Sequence, residues 1–125
     1  MIVTSSRFDY EETVGRLLDA LARHQLTVFA QIDHAGAGRQ AGLELADEQV
    51  VVFGNPKAGT GLMQSDPRIG IELPLRMLVW DGDEGIRLGY DDPRELAERY
   101  AVGEHRPTLE AMSALLAELV KQTVE

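Results

Sequence analysis

No cysteine occurs in this chain of 125 residues, so disulfides, thiolate nucleophiles and cysteine metal sites are all excluded. A reducing compartment fits that absence. Lysine is nearly missing too: Lys57 and Lys121 are the only two, beside ten arginines. There is no basic cluster, and a net charge of -9 is spread along the whole length, which disfavours nucleic acid and anionic membranes as partners. No apolar run approaches the roughly 20 residues that cross a bilayer. The start, MIVTSSRFDY, lacks the basic and long apolar segments of a signal peptide, so no membrane is expected and the cytoplasm is the simplest address. Repeats, linkers and low-complexity tracts are also lacking. Residues 1–125 therefore read as a single domain, with 44% hydrophobic residues to build its core.

What is present is a set of alternating and helical patterns. Met1 to Ser5 reads as a short strand, and Asp9 with Glu12 marks a helix start, followed by Val14, Leu17, Leu18 and Leu21 on one helical face. Leu26 to Asp33 alternates, with Leu26, Val28, Ala30 and Ile32 expected to face the core and Phe29 to face away. HAGAGRQAG reads as a loop or one helical turn. Leu43 to Leu45 and Val50 to Phe53 read as strands, and Ile69 to Trp80 as a long strand disturbed at Pro74. A hairpin through Asp81–Gly85 leads to a strand at Ile86 to Tyr90; Asp92-Pro93 then starts a short helix. Leu109, Met112, Leu115, Leu116 and Leu119 line the last helix. The fold class is α+β, in strand–helix–four strands–helix order, with an antiparallel sheet covered on one face by the helices. A sheet with one uncovered face that carries Phe29 points to a homodimer.

The stretch FGNPKAGTGLMQ at 53–64 asks for a functional reading. Gly54 and Gly59 have the G-x-x-x-x-G spacing, but Thr60 and Gly61 follow where a phosphate loop needs Lys and Ser or Thr, and no G-x-G-x-x-G occurs. Both nucleotide motifs are rejected. Asn55 as N-cap and Pro56 at the first helical position make it a strand-to-helix junction. Lys57 is left over, a cation at the positive end of a helix dipole, unless it pairs with a nearby carboxylate or extends into water. Lys57, the first-turn amides, Thr60 and the approachable backbone at Gly59 and Gly61 together make a candidate site for a carboxylate or phosphate. The second candidate is Asp33-His34, where His34 could serve as acid or base oriented by Asp33; the plainer reading has Asp33 cap the loop. No spacing of ligands points to a metal, and no cofactor is assigned.

At IDH (32–34), FGNPKAGT (53–60), LM (62–63) and LPLRMLVW (73–80) the chain resembles the bacterial and archaeal domain of unknown function numbered 302, over nearly its whole length. The resemblance implies a compact α+β domain of TATA-binding-protein-like order, often a homodimer, and it brings no catalytic residue. Three functional expectations follow. A dimeric module could hold a small anionic molecule in one pocket joining Asp33-His34 to Asn55–Gly61; the motif could be a packing device at a dimer interface; or His34 with Lys57 could form an acid–base enzyme.

Overall fold

In the computed structural model, which describes residues 1–125, chain order is β1 (Ile2–Ser5), α1 (Tyr10–Arg23), β2 (Thr27–Asp33), α2 (His34–Gln40), β3 (Glu48–Gly54), α3 (Pro56–Ser65), β4 (Leu75–Gly82), β5 (Gly85–Tyr90) and α4 (Arg106–Val124). Short 3₁₀ turns at Pro67–Glu72, Pro93–Glu98 and Gly103–His105 fill the connections. The five strands form one sheet in the order β1-β5-β4-β3-β2, every neighbour antiparallel. The first strand thus pairs with the last.

Local chemistry explains where the helices begin. The Asp9 carboxylate accepts the Glu12 amide at 2.8 Å, Asn55 accepts that of Lys57 at 3.0 Å, and Asp92 accepts that of Arg94 at 3.0 Å. Each satisfies one of the orphan donors of a first helical turn. At the far end of α4, Arg16 Nε donates to the Thr123 carbonyl at 2.7 Å and Arg7 to that of Glu125 at 2.8 Å. Two cations at a helix C-terminus oppose its negative end. The same two guanidiniums flank the Phe8 ring, Arg16 at 4.0 Å and Arg7 at 4.8 Å from its centre.

Two apolar clusters hold the layers together. The larger lies between the sheet and the helices: Val51 and Phe53 of β3, Met77 and Val79 of β4 and Leu88 of β5 meet Leu17 and Leu21 of α1 and Leu116 and Leu119 of α4. The smaller gathers Leu62 of α3, Ile69, Leu96 and Val102 of the connections, and Leu109 and Met112 of α4. Each fully buried leucine contributes about 1.5–3 kcal/mol by leaving water. The smaller cluster is tied down by Asp66, which accepts from the Arg68 guanidinium at 2.8 and 3.0 Å, the Arg68 amide at 3.1 Å and the Ala101 amide at 2.9 Å.

Four expected elements differ: the HAGAGRQAG segment, expected as a loop or one helical turn, forms the seven-residue helix α2. Leu43 to Leu45 forms no strand, and Ile69 to Glu72 belongs to a 3₁₀ turn that ends before the cis Leu73–Pro74 bond, so β4 starts only at Leu75. β2 carries an irregularity between Val28 and Ala30 that shifts its phase: Gln31 sits beside core-facing Val51, and Ile32 sits beside Val50 on the uncovered face. Ala30, beside Val52, and Ile32, 46% exposed, thus leave the core side, whereas Val28 lies before the irregularity beside core-facing Phe53 and is 39% exposed on this edge strand. An extra residue in an edge strand exchanges the faces of everything beyond it.

Candidate functional site

Asp33 and His34 stand at the junction of β2 and α2. Asp33 Oδ1 accepts the Gly36 amide at 2.9 Å, which makes it the N-cap of α2. Gly36 has no side chain because a Cβ there would run into that carboxylate. Asp33 is thus committed to the backbone, and it makes no hydrogen bond to the neighbouring His34 ring. The ring of His34 instead borders a groove on the uncovered sheet face.

Asn55 to Gly61 stand at the other junction, between β3 and α3. Asn55 is spent on the Lys57 amide, and the Thr60 hydroxyl donates to the Pro56 carbonyl at 2.7 Å. Pro56 has no amide hydrogen and the Gly59 amide already bonds to the Asn55 carbonyl at 3.3 Å, so Ala58 keeps the one orphan donor of this turn. A Cβ on Gly59 would meet Leu73 at 3.6 Å and one on Gly61 would meet His105 at 4.0 Å, both ordinary contacts. Nothing inside the chain demands these two glycines. Lys57 is exposed and forms no ion pair, so of the two plain alternatives it is extension into water, not a carboxylate partner, that is found.

The register separates the two junctions. Asp33 pairs with Gln49 and Thr27 with Gly54, so one junction lies beside the start of β3 and the other at its end. At about 3.4 Å per residue that is roughly 20 Å. The single pocket expected from Asp33-His34 and Asn55–Gly61 therefore does not form within one chain. The cause is topological: consecutive antiparallel strands finish at opposite ends of the sheet, so motifs that follow each of them point apart.

The groove itself, about 750 Å³, runs over the uncovered face between these ends. Its floor is Ile32, Val50, Val52 and Leu78, with Glu48 toward the His34 end and Arg76 toward the α3 end. On the same face the Trp80 indole lies close over two glycines: a Cβ would come to 3.1 Å from it at Gly89 and 3.2 Å at Gly82. Around the rim, acids are largely matched within the chain, Glu72 by Arg99 at 2.9 Å and Asp92 by Arg94 at 2.7 Å. The Arg94 guanidinium, then the Arg94 amide, hold the Asp92 carboxyl low, at about 2, against partial burial. Arg76 and Glu48 have no such partners. Sequence reading passed over both, although the alternation Arg76, Leu78, Trp80 along β4 already set Arg76 on one face; Glu48 was read as part of the connection before Val50, and it opens β3 instead. No three acidic or histidine side chains gather as cation ligands, and no helix is long and apolar enough to cross a membrane.

Comparison with known proteins places this geometry among relatives. The family model described as domain of unknown function DUF302 matches residues 1–121. The crystal structure of the uncharacterized conserved protein DUF302 from Bacillus stearothermophilus superposes with a TM-score of 0.83 over 98% of this chain and 96% of that one, at 17% identity. That likeness shows the shared fold. A protein of Brucella suis named fluoride-specific ion channel FluC 1 is 36% identical over 104 residues, 82% of this chain and 41% of its own length. Its Brucella melitensis counterpart, FluC 2, is likewise 36% identical, with 38% of its length covered. The chain thus spans about two fifths of the curated relatives it matches.

Proposed function

Because the chain belongs to the DUF302 family, a membership that defines its fold and leaves its activity open, we propose that it works as a homodimeric module holding a small anionic molecule. The observation that carries this reading is the opposition of the two junctions across one uncovered apolar face. A single chain keeps them about 20 Å apart, whereas two chains packed face to face can lay the His34 end of one against the Asn55–Gly61 end of the other. Lys57 supports the anion, being a cation with no acidic partner in its own chain.

Thermal-shift titration with phosphate, acetate, benzoate and fluoride tests it, fluoride being included because the Brucella relatives carry its name. At least one anion is expected to raise the melting temperature of the native chain and to lose that effect in Lys57→Ala. If none does so, the anion reading is abandoned. A second reading, a packing device with no ligand, is favoured by the local bonds that occupy Asn55 and Thr60. In that case Lys57→Ala changes dimer dissociation and leaves every anion response flat.

A further inference from the structure

On the uncovered face the adjacent inner strands β3 and β4 carry opposite charges at opposite ends. Glu48 is beside Trp80, Val50 beside Leu78, and Val52 beside Arg76. Both charged groups lack ion-pair partners in the chain and border the same apolar groove. We infer that a second copy of the chain covers this face about a two-fold axis that runs across the strands over the Val50–Leu78 pair. This rests on the dimer proposed above and adds the surface and its register.

The charges select the axis. A two-fold axis parallel to the strands would keep like ends together, bringing Arg76 toward Arg76 and Glu48 toward Glu48, which is repulsive. An axis across the strands exchanges the ends. Arg76 then comes over the partner subunit's Trp80, one strand spacing of about 4.8 Å from the partner subunit's Glu48, with the two sheets about 10 Å apart. A guanidinium can stack on that indole and reach that carboxylate, and symmetry makes the pair twice. The next strand carries charges in the same order, each already paired in its own chain, Arg87 with Glu84 and Asp91 with the N-terminal ammonium. Arg87 pairs in register with Trp80 at one end of β5, and Asp91 follows the strand at the other, so the same axis brings Arg87 toward the partner subunit's Asp91. Five strands spaced about 4.8 Å apart and roughly 20 Å long outline about 500 Å² per copy, near the lower limit of a specific interface once side-chain relief is added.

Sedimentation velocity over a concentration series decides the matter, with circular dichroism to confirm that each variant is folded. The native chain is expected to be dimeric. Arg76→Glu alone and Glu48→Arg alone should each weaken self-association by about tenfold or more, each placing like charges together twice. The double variant E48R/R76E should regain the dimer, and an equimolar mixture of the two single variants should form a heterodimer. A native dimer indifferent to both single changes, or a double variant that fails to recover, overturns this register while leaving dimerisation standing. A native chain that stays monomeric throughout overturns the dimer together with the register.

Discussion

Gly61 lies in the second turn of α3 with the His105 ring, 4.0 Å away, as the nearest neighbour of its missing side chain. Glycine inside a helix is worse than alanine by about 0.8–1 kcal/mol, so Gly61→Ala is expected to stabilise the isolated chain by roughly that amount in urea unfolding. Loss of stability instead would mean that another body needs the space, and self-association at varied concentration would then show whether it is a second copy. At this scale the sequence was most legible where a side chain answers its own backbone. Asp9, Asn55 and Asp92 all cap where their positions said, because such bonds span two or three residues and need no knowledge of the fold. Arg76 was illegible for the opposite reason: an arginine in a strand acquires meaning only once it is known which face is uncovered and what stands across from it.

Among the elements, α2 depends on one close fit. The Asp33 carboxylate occupies the space a Cβ on Gly36 would take, so Gly36→Ala is expected to push the cap off the first turn. The loss should approach that of a missing N-cap, about 0.5–2 kcal/mol, with amide exchange accelerating first in residues 34–40. β2 shows why element patterns mislead. Its alternation was plain, yet the irregularity at 28–30 lies in an edge strand whose spacing no local preference dictates, and Ile32 moved from the expected core to the uncovered face. The same irregularity disrupts the outer hydrogen-bonding edge of β2, which works against strand-to-strand growth there. Leu43–Leu45 and Ile69–Glu72 were apolar enough to look like strands, but neither had a partner strand to pair with.

Over the whole molecule, stability should be sensitive to acid through two aspartates that act as staples. Hydrogen bonds from the Arg68 side chain, then from the Ala101 amide, hold the Asp66 carboxyl far below the usual carboxylate range, and Arg94 holds Asp92 at about 2. Both pKa values are lower folded than unfolded, so the stability they supply is full above about pH 4 and drains away as pH falls toward 2 and below. Melting temperatures between pH 5 and pH 2 are expected to fall less steeply in Asp66→Asn/Asp92→Asn than in the native chain, and parallel curves would remove these carboxylates from the account. The α+β class and the one-sided helix layer could be read from patterning because helices and strands differ in hydrophobic period. Strand order could not, since nothing local in β1 announces β5 as its neighbour.

That pairing of first strand with last, together with α4 underlying both clusters, governs how the chain can be made. While a ribosome adds residues 1 to 105, neither cluster has its lid and β1 has no neighbour until β5 emerges. At translation speeds of about 5–20 residues per second the growing polypeptide waits roughly 5–20 s with its apolar faces open. Neither cluster closes before residues 106–124 are in place, so the sheet and its helix layer are completed by α4.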